Sequence, residues 1–406
     1  MYKNRIQLVI GFILLIFLSG NLVKAQSLIS AKNDSTQVEQ KDLVDVIQDG
    51  FKLHLRADSI IQNGNGPYFS MMPVVGYSMQ SGLTAALVTN TSFYTDKNKT
   101  RFSNLLANAY YSQFHQYWII ANSNVFLEKQ KPHFIGDTRF YKFPTQTYGL
   151  GTNTTLEDIL HVDFLYLRLY QSVFREIRKN LFAGIGYNLD YHWEIEPDQT
   201  PGRALNDFNE FQKSSRSTSS GVTLNLLFDS RKNSVNPESG SFGNLQYRSN
   251  LKMLGSDSNW QSLIIEARHY FRISASSRNV IAFWSYNNLT LNGTPPYLDF
   301  PSIGWDNYSN TGRGYIPGRY TGKNLFYLES EYRFGITRNG LLGGVVFGNA
   351  ETTLPNLSSK IQKVMPGAGL GIRIKMNKYS NTNIAIDYGF GIGGSHGLFF
   401  NLGEVF

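Results

Sequence analysis

Three stretches of this sequence place reactive residue types at spacings that could do chemistry. Arg313-Gly314-Tyr315, preceded by Gly312, sets a guanidinium and a phenol on a glycine-rich turn. Just beyond it, Asn324 to Phe334 carries Glu329 and Glu331, two residues apart and so on one face of an extended strand. A guanidinium withdrawn from water needs a charge partner, or its desolvation goes uncompensated. The third stretch is a polar turn after Phe228, with Asp229, Arg231, Asn233, Pro237 and Gly240 in fixed order. Other signals are weak. Gly393-Gly394-Ser395-His396-Gly397 matches a nucleophile elbow, but that motif needs a strand-to-helix turn and this one falls between two strands. The seven His are dispersed without metal-ligand spacing. Gly389-x-Gly391 lacks the helix that a dinucleotide fold requires, and reads instead as close packing or a bend. No catalytic residue, metal or cofactor is expected.

These residues need a scaffold, and composition narrows the choice. The 406 residues are 41% hydrophobic, 14% aromatic and only 17% charged, with 37 Gly. A disordered chain would carry more charge and far fewer than 24 Tyr and 28 Phe. With no Cys, a disulfide scaffold, thiolate metal sites and a lipid-modified N-terminal Cys are all excluded. Lys3 and Arg5 precede an apolar run from Ile6 to Leu18, and Val23-Lys24-Ala25 offers the small residues that signal peptidase reads. Residues 1–25 are therefore expected to be a signal peptide, since a membrane anchor needs about 18–20 apolar residues. Nothing later approaches a transmembrane helix. The formal charge of +8 is scattered singly and reads as lining and loop charge; together with export, this argues against a nucleic-acid partner.

Residues 26–66 form a short segment, expected to be periplasmic. Within it, 41–55 sets Leu43, Val46, Ile47 and Leu53 on a rough helical stripe. A short helix docked at the periplasmic mouth is one reading and a disordered tether the other. From Tyr68 onward the period becomes two. Val222, Leu224, Leu226 and Phe228 oppose Thr223 and Asn225, while Leu370, Ile372, Ile374 and Met376 oppose Gly371, Arg373 and Lys375. One apolar and one polar face over about ten residues suits a strand between lipid and a polar lumen. Soluble sandwich strands usually run about 5–6 residues. The fold expected is all-β, a 16-stranded antiparallel transmembrane β-barrel over 67–406, in contact with outer-membrane lipid. Its strands are expected at 68–79, 82–94, 100–113, 116–128, 133–143, 161–174, 179–195, 217–228, 241–253, 259–273, 279–291, 325–335, 341–350, 367–376, 382–390 and 397–406. The longest connections (144–160, 196–216, 292–324 and 351–366) all follow odd strands and are expected outside. Trp118, Trp193, Trp260, Trp284 and Tyr332 suit interfacial girdles. Val280 to Leu289 alternates poorly.

The motifs together resemble the BamA/TamA-like outer-membrane superfamily, the bacterial surface antigen family. The resemblance rests on Arg313-Gly314-Tyr315 between strands eleven and twelve, the Asp229–Gly240 turn, the opening Met72 to Leu83, and a last strand ending on Phe406. It implies a sixteen-stranded barrel that inserts or secretes other proteins, with the Arg-Gly-Tyr tip folded into the lumen. It also implies partners for Arg313 at Glu331 and in a Phe-x-Asp pattern that here falls on Phe347-Gly348-Asn349, where Asn349 would give a charge-assisted hydrogen bond. Residues 26–66 are too short for a POTRA domain of about 75 residues, so the chain is similar to the POTRA-less members. The expected function is accessory insertion or translocation of proteins at the outer membrane. Unfolded outer-membrane proteins are the expected substrates, and outer-membrane assembly machinery is expected to insert the barrel itself. A channel-forming or structural barrel is the rival reading.

Overall fold

The computed structural model describes residues 40–51, 68–78, 81–95, 102–127, 132–274, 277–307, 309–378 and 381–406. The signal peptide expected over 1–25 and most of the 26–66 segment lie outside these residues. Sixteen antiparallel strands form a nearly closed barrel. They are β1 (Tyr68–Ser78), β2 (Gly82–Tyr94), β3 (Phe102–Ser112), β4 (Tyr117–Phe126), β5 (His133–Lys142), β6 (Leu160–Arg178), β7 (Leu181–Pro197), β8 (Ser217–Asp229), β9 (Gly240–Asn250), β10 (Trp260–Arg272), β11 (Val280–Gly293), β12 (Asn324–Gly335), β13 (Leu342–Leu354), β14 (Met365–Asn377), β15 (Thr382–Gly391) and β16 (His396–Leu402). A short piece, Thr145–Thr147, continues β5 along the start of β6. The break between them holds Pro144, which has no N–H to give a ladder.

The barrel is inside-out relative to a soluble protein. Ile185, Val222 and Leu224 point outward and are 67%, 47% and 59% exposed, while Thr223 and Asn225, of opposite parity to Val222 and Leu224 on the same strand, are buried. Period-two alternation thus hands lipid the apolar row and the lumen the polar row. At 19 and 17 residues, β6 and β7 outrun the roughly 9–11 needed to cross a bilayer. They rise beyond it at the end where the long loops gather. There α2 (Arg203–Phe211), the second described helix, buries Ala204 and Phe208 against Leu160, Val162, Tyr297 and Phe300.

At the opposite, short-turn end lies α1 (Leu43–Phe51), which covers the first part of the stripe read over 41–55. Asp42 caps it reciprocally: its carboxylate accepts the Asp45 amide at 2.9 Å, and Asp45 accepts the Asp42 amide at 2.9 Å. Asp42 also accepts the Lys378 amide (2.8 Å), Lys378 Nζ lies 3.0 Å from Asp45, and the Lys41 amide reaches the Asn339 carbonyl (3.1 Å). The helix is therefore fastened to the β12–β13 and β14–β15 turns.

Two sequence expectations change here. The last strand stops at Leu402, not at Phe406. Gly403, with φ +96°, turns the chain inward, and Phe406 packs inside the barrel on Trp284 (ring centroids 5.2 Å). Phe406 therefore does not serve as a strand-ending, lipid-facing aromatic. Continued alternation would have put Glu404 toward lipid beside Leu402, which its charge forbids; the turn carries it to lumenal arginines instead. Trp284 and Trp260 are likewise lumenal and buried rather than girdle residues. This also accounts for the poor alternation of 280–289. Val280, Ala282, Trp284 and Tyr286 face a lumen filled by protein, where they pack with Tyr315, Tyr320, Val405 and Phe406. An apolar residue is as well placed there as on the lipid side.

Candidate functional site

The 294–323 loop does not extend into solvent but folds down inside the barrel. Asp306 organises its descent: one carboxylate oxygen accepts the Asn310 amide (3.0 Å), the Thr311 amide (2.8 Å) and the Thr311 hydroxyl (2.8 Å). The tip then turns at Gly312 and Gly314. Gly314 holds φ +111°, and a Cβ there would come within 2.8 Å of the Phe390 backbone. The strand beneath is equally bare, since a Cβ at Gly389 would sit 2.6 Å from the Gly314 nitrogen. The glycines of 389–391 are thus a seat for the tip, close packing rather than a bend.

Arg313 is 1% exposed. Its Nη2 donates to Glu329 and Glu331 on β12, and its Nη1 to Asp387 on β15 at 2.6 Å. Its guanidinium carbon stands 3.7 Å over the Phe347 ring, a desolvated cation–π contact. The Tyr315 hydroxyl donates to the Pro366 carbonyl (2.6 Å) and accepts the Ile392 amide (3.0 Å). Ser395 donates to the Gly314 carbonyl at 2.8 Å, so the hydroxyl of the elbow-like motif holds the loop tip.

Arg313, Gly314, Tyr315, Glu329, Glu331, Phe347 and Asn349 are therefore brought together, with one change of role. The Asn349 side chain does not accept from the guanidinium. Its amide nitrogen donates to the Arg313 main-chain carbonyl at 2.9 Å. The carboxylate in reach of the guanidinium's other arm is Asp387, two strands further on, which sequence reasoning missed. It also missed Arg333 and Arg373 as members. Arg333 Nε meets Glu331 at 2.6 Å, and Arg373 spans Asp387 (2.5 Å) and Glu404 (2.7 Å). Three guanidiniums and four carboxylates form one continuous network in which every charge touches at least one of opposite sign. The usable signal was parity: Arg333, Arg373 and Asp387 all occupy lumen-facing positions of alternating strands.

The Asp229–Gly240 turn closes the short-turn end. Arg231 grips Asp229 through its backbone amide and Nε (both 3.0 Å) and Nη2 (2.9 Å), and lies over the Phe242 ring. Asn233 accepts the amides of Val235 and Asn236 in an Asx turn (2.8 and 3.1 Å). Gly240 has φ +100°, and a Cβ there would lie 2.8 Å from the Ser230 carbonyl. The turn so shaped reaches the lock: the Pro237 carbonyl accepts from Arg333 (3.3 Å), and the Val235 carbonyl accepts the Glu404 amide (2.9 Å).

The loop has a second set of contacts on the other half of the wall. Arg139 donates to the Asn307 carbonyl (2.8 Å), Ser219 to Asp299 (2.5 Å), and the Tyr297 hydroxyl pairs with Thr147 (2.7 Å). Arg319 binds Thr154 through both terminal nitrogens, each at 2.6 Å. The loop is a strut across the lumen. Burial, reinforced by the Asp190 carboxylate, pushes the Asp299 carboxyl up to about 7.

Residues 79–405 match the Omp85 superfamily domain. The chain belongs to the Omp85 superfamily. Solved structures with this fold include BamA from Haemophilus ducreyi lacking POTRA domains 1–3, at 13% identity and TM-score 0.57, covering 84% of this chain and 70% of that one. CdiB from Acinetobacter baumannii shows 13% identity and TM-score 0.53, over 84% of this chain and 60% of that one. CdiB from Escherichia coli shows 12% identity and TM-score 0.52, over 84% and 63%. This Omp85 chain thus spans less than two thirds of either CdiB. No curated protein sequence matches. At these identities the neighbours share the barrel fold, and Omp85 barrels of this kind reside in the bacterial outer membrane.

Proposed function

We propose that this Omp85 barrel assists insertion or translocation of proteins at the outer membrane, acting through its seam rather than its lumen. The observation that carries the reading is the meeting of the first and last strands. β1 is laddered to β2 and β16 to β15, but among the described residues no backbone ladder joins β1 to β16. The two edges touch through an edge-on contact of Tyr77 with Phe400 at 6.3 Å. β16 is also short, with 7 residues against 11 in β1. Unpaired N–H and C=O groups facing lipid are costly, so an edge of this kind is a template for an incoming strand. The lumen, by contrast, is crossed by the loop and entered by residues 403–406.

In this reading residues 1–25 direct export, the short turns and α1 face the periplasm, and the barrel is itself inserted by outer-membrane assembly machinery. Its substrates are unfolded outer-membrane proteins, and it carries no enzymatic activity. Purified protein reconstituted in liposomes should accelerate insertion of an unfolded substrate barrel, and a disulfide joining β1 to β16 should abolish the acceleration. Unaccelerated insertion, with or without the cross-link, would favour the second reading, a structural barrel. The filled lumen is the observation on that side, and planar-bilayer conductance separates it from a channel.

A further inference from the structure

Cations that lie scattered along the sequence are gathered by the fold onto one rim. At the short-turn end, Arg175, Arg178 and Lys179 lie at the end of β6, Lys232 between β8 and β9, Arg278 just before β11 and Arg338 just after β12. All six are exposed, and none has an ion-pair or hydrogen-bond partner among the described residues. The described acids of that rim are already engaged. Asp229 holds Arg231 (2.9 Å), Glu238 holds Arg272, Asp45 holds Lys378 (3.0 Å), Asp49 holds Lys41 (2.9 Å), and Glu176 accepts the Asn180 amide (3.2 Å). The long-loop rim differs, since it exposes both signs: Glu157, Glu194 and Glu196 as well as Lys213, Arg216 and Lys252. Apolar residues accompany the short-turn cations. Ile177, Ile273 and Ile336 continue the lipid-facing rows of β6, β10 and β12 and are 59%, 55% and 57% exposed. Arg175 shares the parity of Val173 and Ile177, so it stands on the lipid side itself. Arg278 lies over Gly340 of the next turn, where a Cβ would collide with its guanidinium. That brings a second guanidinium onto the turn that carries Arg338.

We propose that this rim binds anionic phospholipid headgroups. A cation without a protein partner at the end of a lipid-facing row meets the headgroup layer, where long side chains carry their charge out of the hydrocarbon. Four of the six are arginines, whose planar fork fits two phosphate oxygens at once. An isoleucine in the hydrocarbon with a cation at its edge matches a lipid's acyl chain and its phosphate. Neighbouring strands stand about 4.8 Å apart, so successive turns are roughly 10 Å apart and each meets its own headgroup. That spacing favours a layer of lipids over one small polyanion. An acidic protein would account for the cations but not for the isoleucines beside them. Zwitterionic lipid would leave the net charge uncompensated, whereas clustered Lys and Arg at a membrane surface select anionic lipid. The inference is independent of the seam. With the short turns in the periplasm, the lipids are those of the inner leaflet.

The test is electron spin resonance of the full chain in phosphatidylcholine bilayers that carry a trace of spin-labelled phosphatidylglycerol or of spin-labelled phosphatidylcholine. Lipid held at the barrel surface gives a motionally restricted component. Phosphatidylglycerol should be restricted at least about twofold more than phosphatidylcholine at low salt. The preference should fade toward 1 M salt, where the screening length falls to about 3 Å. Arg175→Gln, Arg178→Gln, Arg278→Gln and Arg338→Gln combined should remove most of it. Lys213→Gln, Arg216→Gln and Lys252→Gln combined, on the long-loop rim, should leave it in place. Should the fourfold variant not fold, Arg175→Gln and Arg338→Gln singly should each lower the preference. No preference in the native chain, or the same preference in the native chain and the short-turn variants, would overturn the proposal and leave these cations to an acidic protein or to solvent. So would a preference lost in phosphate buffer but kept in chloride of equal ionic strength, which would mark a site for free anions.

Discussion

Arg313→Ala is the most informative single perturbation of this barrel, because its consequences differ among the three carboxylates it leaves behind. Glu331 keeps Arg333 at 2.6 Å and Asp387 keeps Arg373 at 2.5 Å. Glu329, buried and ion-paired to Arg313, retains only the Tyr327 hydroxyl. Breaking a buried pair by removing one member costs about 3–5 kcal/mol. At about 1.4 kcal/mol per factor of ten, the tip should open roughly a hundred- to several-thousand-fold more often. The assay is hydrogen exchange at the Tyr315 amide, which bonds to the Gly312 carbonyl at 2.9 Å. Protection there should fall by that factor. At 297–307 it should fall much less, since Ser219, Arg139 and Thr147 still hold that segment. Glu329→Gln added to Arg313→Ala should recover much of the loss by removing the stranded charge, and a cycle over the two measures their coupling. Arg313→Lys should recover less, because one ammonium cannot span β12 and β15 as the planar fork does. Unchanged protection at Tyr315 in Arg313→Ala, or a double variant worse than the single, would refute the lock.

Other expectations follow from neighbouring contacts. Asp299, pushed up to about 7 and facing Asp190, Arg248, Arg168 and His192, favours its protonated form in the folded barrel. Its contribution to stability is therefore full below the ordinary carboxylate pKa of about 3.9 and lost as pH rises through about 7. The melting temperature should drop between about pH 4 and pH 7, and Asp299→Asn should flatten that drop. Phe406→Ala should destabilise by about 3–5 kcal/mol, as large-to-small changes in packed cores do, read as a lower urea midpoint. If Phe406 lay on lipid, its removal would cost far less. Asp42→Ala deletes the α1 cap and its hold on Lys378; it should cost that helix about 0.5–2 kcal/mol, visible as faster exchange over 43–51 with the strands unaffected.

What the sequence determined by itself was everything that repeats locally. Period-two alternation marked out the strands and separated an apolar from a polar face in most of them, because each Cβ points opposite to its neighbour's whatever the rest of the chain does. Glu329 and Glu331 could be placed together inside for that reason. The tertiary structure alone decided which residues meet across the lumen. Asp387 lies 74 positions from Arg313, and only barrel closure brings β15 opposite the descending loop. The inward course of 403–406 was equally a tertiary matter: Leu398, Phe400 and Leu402 form an exposed, lipid-facing row, and Glu404 shares its parity. Glu404 broke that row, and the arginines that make an inward turn favourable sit on β12 and β14. Trp260 and Trp284 were misplaced for a related reason. A strand pattern separates apolar from polar surroundings, but it cannot distinguish lipid from a lumen packed with the protein's own loop and tail.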